Sequence, residues 1–376
     1  MLAAALLAGC VVAPAERSRV LSEPIFYPPP PDPPRIQYLT TFIGERDLVA
    51  PASGFAKFIL GDDEGGVRLK HPYGVAIFEG KLYVADSTAP GLAIFDLVLK
   101  RFSVVTGFGG GRMARPINVK IDRDGTKYVT DPGRQRILVY DRDDRFVAAF
   151  GTEGQFSPVD VAIAGDRLYV VDIAHHKVQV LDKRIGKPLF EFGKLGAGPG
   201  ELYQPTNIAI GPDGNVYVVD TINFRVQRFT ADGQFLRAYG KAGDELGSFA
   251  RPKGIALDRA GRLFVGDSAF NNVQIFDGDG RLLLYFGQFD GPEGLNLPAG
   301  VTIDYDNVGL FRRYADPKFD LEYVIFVASQ SWQNKVDVFG FGKMAGVNYL
   351  PDVPPAKLET KVGADPGADE VAKPAN

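Results

Sequence analysis

The sequence predicts an all-β protein, a β-propeller of six blades, and three observations carry that prediction. A proline recurs at Pro72, Pro116, Pro158, Pro205, Pro252 and Pro298. A period of about 45 residues belongs to propellers and solenoids, whose units cannot bury their apolar faces alone. Each proline is followed by two short strands, and the second is nearly invariant in character: Leu82-Tyr-Val-Ala-Asp86, Lys127-Tyr-Val-Thr-Asp131, Leu168-Tyr-Val-Val-Asp172, Val216-Tyr-Val-Val-Asp220, Leu263-Phe-Val-Gly-Asp267 and Ile325-Phe-Val-Ala-Ser329. Such β-branched and aromatic runs without polar alternation suit strands covered on both faces, as in stacked blades. Finally, outer strands follow only the first five repeats, while a matching segment stands ahead of the first, at residues 36–44. That segment is expected to complete blade 6 and close the ring, which removes exposed sheet edges.

The elements follow in chain order. Residues 1–9 are apolar and too short to span a bilayer, which takes about 20 residues. They resemble the end of a signal peptide, and Leu7-Ala8-Gly9-Cys10 resembles a lipobox, so Cys10 is expected to be lipidated. Val11 after Cys10, by analogy with lipoprotein sorting in Gram-negative bacteria, favours the outer membrane. Residues 11–35, with Pro28 to Pro31, Pro33 and Pro34, are expected to be an extended linker, because proline cannot donate to a ladder. The propeller is expected over 36–345 and a disordered tail over 351–376, where apolar periodicity ends.

Within the repeats, first strands such as Gly74-Val-Ala-Ile77 and Asn207-Ile-Ala-Ile210 carry small residues suited to a crowded axis. Turn signals such as Asp124-Gly125 and Asp213-Gly214 separate them from the second strands. Outer strands end in an aromatic–glycine pair: Phe150-Gly151, Phe192-Gly193, Tyr239-Gly240 and Phe286-Gly287.

Blade 4 reads Phe192-Gly193, Gly198-Pro-Gly-Glu201, Pro205, Val216-Tyr-Val-Val-Asp220 and Asn223-Phe-Arg225-Val-Gln227. This resembles an NHL repeat at nearly every signature position; repeat 5 matches almost as well, and repeats 1 and 6 are degenerate. The resemblance runs over roughly residues 68–340 and implies a six-bladed NHL-type propeller, here of a bacterial lipoprotein kind, acting as an interaction scaffold. Some NHL-like propellers are amidating lyases that bind calcium and zinc through histidines of several blades. The three histidines here, His71, His175 and His176, do not reproduce that set.

The chain has 376 residues, 45% hydrophobic and 23% charged, with net charge −4 and no basic run. That balance gives no electrostatic footprint for nucleic acid. A single cysteine excludes an intramolecular disulfide. The strand-end Asp recurs in five blades and is therefore read as a structural cap rather than a catalytic acid. Two departures from the repeat remain as candidate sites. Where blades 1, 5 and 6 have Gly74, Gly254 and Gly300, blades 2, 3 and 4 have Asn118, Asp160 and Asn207, with Lys120 nearby. Side by side at one channel mouth, these could hold Ca2+ or a polar ligand, or form a network in which Lys120 pairs with Asp160 and the amides bond backbone. The blade 6 insertion, residues 307–321, carries Phe311, Arg312, Arg313, Tyr314 and Phe319. It either contacts a partner or packs with residues 45–70 (Phe55, Phe58, Ile59 and Leu60) against the closure.

The expected function is an envelope-anchored, monomeric binding scaffold for a protein, peptide or saccharide, without a catalytic constellation. The rival is a calcium-dependent lyase or lactone hydrolase at the channel mouth.

Overall fold

The structure is a computed structural model of the chain and describes residues 23–48, 66–287, 291, 293–331 and 333–349. Six antiparallel sheets make six blades, five of four strands and one of five. In blade 1 the strands run Pro72–Phe78, Lys81–Asp86, Leu92–Asp96 and Arg101–Val105. The first strands of all six blades touch their neighbours in a closed ring, so they are the innermost.

Burial explains the missing alternation in the second strands. Leu82, Val84 and Ala85 are fully buried, as are Val170, Val171 and Val218. The apolar core divides into six clusters, and each joins two adjacent blades. Outer strands bury little: Phe235–Tyr239 hides only Tyr239. The aromatic–glycine pairs end these strands because the chain must turn with positive φ, 99° at Gly151 and 85° at Gly193. A Cβ there would meet Phe156 or Leu202, which seal the seam to the next blade.

Ring closure is as the repeats predict. Ile36–Phe42 pairs antiparallel with the third strand of blade 6, Val336–Met344, from Ile36 opposite Phe341 to Phe42 opposite Val336. The segment expected as linker differs from expectation from Phe26 onward. Phe26–Tyr27 adds a fifth strand outside Ile36–Phe42. Phe26 packs on Phe319, and Tyr27 on Phe286 and Phe339. The prolines that follow turn the chain back, and the Pro34 carbonyl accepts the Tyr349 hydroxyl at 2.7 Å. The propeller body therefore begins ahead of residue 36. Two aromatic residues supply enough apolar contact to hold a strand that the surrounding prolines conceal.

The blade 6 insertion settles against its own fold. It forms two single turns, Val308–Leu310 and Arg312–Tyr314, before the long second strand Phe319–Ser329. Phe311 and Phe319 are buried in the cluster that joins blade 6 to blade 1, together with Phe42 and Phe95. Phe311 lies 5.4 Å from Phe326 and 6.5 Å from Phe42, centroid to centroid. Reading them as partner contacts is therefore corrected: both rings are consumed by the closing seam. Arg312 and Arg313 are exposed and Tyr314 is half-buried. Cys10, the residues 55–60 named above and the tail lie outside the described residues. No helix among the described residues is long and apolar enough to cross a membrane.

Candidate functional site

The strand-end carboxylates organise the face on which each proline loop lies. Asp86, Asp131, Asp172, Asp220 and Asp267 are all buried. Each accepts backbone N–H groups from the residues just ahead of its own blade's proline: Asp131 from Ala114 at 2.6 Å and Arg115 at 3.1 Å, Asp267 from Ala250 at 2.8 Å and Arg251 at 3.1 Å. Asp86 takes Lys70 and His71 in the same way. Burial works to raise the Asp86 carboxyl, and the N–H groups of Lys70, Thr88 and His71 outweigh it and hold it below the usual range. These aspartates are structural, as the repetition predicts, and what they fix is the loop preceding the proline.

Blade 6 reaches the same end by other residues. Ser329 stands where the Asp would be, and Asp337 on the third strand stands where blades 3, 4 and 5 carry Gln179, Gln227 and Gln274. In blades 3 and 4 that glutamine donates to the aspartate, at 2.9 and 3.0 Å. In blade 6 the order is reversed, and the Ser329 hydroxyl donates to Asp337 at 3.4 Å. Asp337 is fully buried and one of its oxygens has no hydrogen-bond partner. Burial pushes its carboxyl well above the usual range, against the hydrogen bonds of Thr41, Ser329 and Asn334.

The structure brings Asn118, Asp160 and Asn207 together as neighbours, but buries all three beneath the mouth. Every side-chain oxygen of the three accepts a hydrogen bond. Asn118 takes the Val119 N–H at 2.9 Å, and Asp160 takes those of Val161 at 2.8 Å and Ile208 at 3.1 Å. Asp160 also receives the Asn207 amide at 3.3 Å and lies 3.9 Å from the Lys120 amine. Burial raises the Asp160 carboxyl, while Lys120 and these donors oppose the shift. Asn207 Oδ1 accepts the Tyr73 hydroxyl at 3.1 Å instead of a backbone group. Oxygens committed to proton donors are poor calcium ligands, since Ca2+ takes six to eight free oxygens. No group of three His, Cys, Asp or Glu side chains is placed to hold a metal among the described residues.

Tyr73 explains why the trio is covered. It sits in blade 1 and reaches Asn207 in blade 4, the opposite side of a six-membered ring, so its ring crosses the axis. Burial pushes its hydroxyl far up, with the Asp160 charge adding to this, so it remains a proton donor. Above this floor opens a cavity of about 640 Å3. Two positions of the repeat line it. Directly after the proline come Tyr73, Ile117, Val159, Thr206 and Lys253; directly before it come Arg115, Ser157, Gln204 and Arg251. Sequence reasoning selected the position one residue deeper. The signal was present in the same alignment of repeats, one and three residues earlier along the chain.

The lining is cationic. Arg115, Arg251 and Lys253 border the cavity and no Asp or Glu does. Lys253 donates to Gln330 Oε1 at 3.1 Å and lies 5.3 Å from the centre of the Tyr73 ring. Burial, aided by the Arg251 charge, pushes its amine down to about 8. His71 faces Gln330 as well, its Nδ1 2.8 Å from that residue's carbonyl. His175 and His176 are held in the turn after Asp172. His175 meets Asp172 at 2.6 Å, and His176 accepts the Gln204 N–H at 3.0 Å.

Comparison with known proteins places this architecture. A family model described as a 6-bladed beta-propeller matches residues 156–242, which span blades 3 and 4, where the repeat is most regular. Among curated proteins, Protein lin-41 of Caenorhabditis elegans is 47% identical over 49 residues; these are 13% of this chain and 4% of that protein's length. Among solved structures, a gluconolactonase from Xanthomonas campestris superposes with a TM-score of 0.55 at 17% identity, covering 85% of this chain and 97% of that one. Virginiamycin B lyase from Staphylococcus aureus, solved with quinupristin, gives 0.51 at 14% identity, covering 72% and 95%. At such identities the likeness is one of fold. The chain is a six-bladed β-propeller.

Proposed function

From this propeller with a recessed, cation-lined mouth, we propose a binding module that takes its ligand at the channel mouth, displayed from the bacterial envelope by a lipid on Cys10. One observation carries the reading: the 640 Å3 cavity formed by the residues on either side of the repeated prolines. Its size is that of a small-ligand site, generally about 300–1,000 Å3. Its lining offers cations, hydroxyls and amides but no carboxylate to serve as general base. Exposed apolar residues on the neighbouring turns, Tyr203 and Ile222, add surface for a larger partner such as a peptide or saccharide.

The rival reading is a calcium-dependent lyase or lactone hydrolase. Its support is the fold shared with a gluconolactonase and a lyase, and the saturated oxygens of Asn118, Asp160 and Asn207 weigh against it. Calcium and chelator are expected to leave the melting temperature unchanged; a calcium-dependent rise that disappears in Asp160→Ala would restore the rival.

The mouth is tested by thermal shift against a panel of acidic, neutral and basic saccharides and peptides. Ser157→Trp and Ile117→Trp, from two different blades, should fill the cavity and abolish any ligand-induced shift while keeping the unliganded melt. A shift that survives both substitutions overturns the mouth as the site. The anchor has its own test: radiolabelled palmitate should enter the wild-type protein and not Cys10→Ser, and incorporation into the variant would refute lipidation at Cys10.

A further inference from the structure

We propose that the mouth selects an organic polyanion, a small molecule bearing two or more carboxylate or phosphate groups, held between Arg115 on blade 2 and Arg251 with Lys253 on blade 5. The inference rests on the mouth being the binding site and specifies what it accepts.

The charge arrangement is the main argument. The whole chain is acidic, with net charge −4, yet three cations and no carboxylate border the cavity at the mouth. Neither the Arg115 nor the Arg251 guanidinium makes an ion pair or a side-chain hydrogen bond among the described residues; only their backbone N–H groups are engaged, by Asp131 and Asp267. Lys253 uses one donor, toward Gln330, of the three an ammonium carries. Arg115 and Arg251 are exposed on the rim and Lys253 is half-buried below them, so their free donors face the cavity, and a bound anion would take them up.

The geometry sets the valence. In a six-bladed ring, blades 2 and 5 face each other across the axis, so Arg115 and Arg251 stand on opposite rims. A single small anion would satisfy one rim; a ligand that engages both must carry negative charge toward each. Arginine's fork matches carboxylate and phosphate oxygens equally, which leaves both chemistries open to the same site. Ser157, Thr206 and Gln204 add neutral hydrogen-bonding groups between the rims. Tyr73 closes the floor, so the ligand is recessed without passing through the channel.

A proton linkage follows. The Lys253 amine faces Arg251 from its own strand, Arg115 across the cavity, Tyr73 from blade 1 and Gln330 from blade 6, with His71 behind Gln330 and Asp160 buried below. Its low titration reflects burial and the Arg251 charge, and an anion placed beside both cations raises it again. Binding therefore takes up a proton near pH 8, and affinity falls as pH rises through that region.

Titration calorimetry with citrate and with tripolyphosphate at low ionic strength tests this, using the full chain at pH 7 and pH 9. At least one probe should bind in one-to-one ratio. Citrate alone assigns carboxylates and tripolyphosphate alone assigns phosphates. The Arg115→Gln/Arg251→Gln double variant should weaken binding by about tenfold or more, as expected for lost hydrogen bonds to charged groups. Wild-type affinity should drop between pH 7 and pH 9, and Lys253→Met should flatten that drop while the protein stays folded. Binding by neither probe, or equal affinity in the double variant, overturns the inference. A neutral saccharide that binds and is blocked by Ser157→Trp would overturn it too, leaving the mouth as the binding site. Anion binding undiminished by Ser157→Trp would instead remove the mouth reading on which it rests.

Discussion

Phe311→Ala is expected to lower stability by about 3–5 kcal/mol, the range for emptying a buried phenylalanine site. The ring contacts Phe42 on the closing strand and Phe326 on the second strand of blade 6, and lies in the cluster shared with Phe95 of blade 1. It therefore ties the closing strand Ile36–Phe42 to the rest of blade 6 and to blade 1, at the seam where the ring is sealed by residues nearly 300 positions apart. The loss should be read as a lower melting temperature and as earlier exposure of Ile36–Phe42 to hydrogen exchange. Arg312→Ala and Arg313→Ala, one and two residues on, are exposed and should stay within about 0.5 kcal/mol of wild type. A Phe311→Ala protein that melts like wild type would return the insertion to the role of a free binding loop.

The fold was legible because its information is repeated. Six prolines and six apolar second strands state the same unit six times, and a missing outer strand at one end matches a surplus strand at the other. What the repeats could not convey is what occurs once. Phe26–Tyr27 is a two-residue strand beside prolines, too short for any periodic signal, and only its packing on Phe319 and Phe339 shows that it belongs to the body. The insertion was visible as an excess of residues between two strands. Its aromatic residues read equally well as core or as surface, since side-chain direction is set by the turns between them.

The site was legible to within one residue. Asn118, Asp160 and Asn207 stand out because they replace a recurring glycine, and a departure from a repeated pattern attracts attention. That glycine recurs for a packing reason: a Cβ on Gly300 would come within 2.1 Å of the Tyr73 carbonyl oxygen in the next blade. The departures therefore mark a change in blade-to-blade packing. The flanking positions have no consensus, His71, Arg115, Ser157, Gln204, Arg251 and Leu297 before the prolines, with only arginine occurring twice, so none stands out as a departure. Variation at a position the scaffold holds fixed is what a binding rim should show, and the buried aspartates that grip each loop supply the fixing.

Asp337→Asn is expected to raise the melting temperature at neutral pH, by an amount that shrinks toward zero as the pH approaches 4. The Asp337 carboxyl is buried with one oxygen unpartnered, and its titration in the fold lies well above the usual carboxylate value. Glu293 adds to the rise through its own charge, against the donors Thr41, Ser329 and Asn334. Below about pH 4 the carboxyl is protonated in both the folded and the unfolded chain, and the fold bears no penalty. As pH rises the unfolded chain loses this proton first. Stability then falls by about 1.4 kcal/mol for each unit until the folded carboxyl also titrates, and the penalty is constant above that. Asparagine keeps the shape and carries no charge, so the variant escapes the slope. Asp160 and Asp304 are also raised by burial and contribute slopes of their own, which cancel when variant and wild type are compared at each pH. Melting curves of both proteins from pH 4 to pH 8 decide the matter. A constant gap between them would mean that Asp337 is ionised in the fold across that whole range. In that case the exchange of Asp and Gln for Ser and Asp in blade 6 would preserve a charged cap like those of the other five blades, and the Asp337→Asn substitution would be expected to loosen the loop ahead of Pro298.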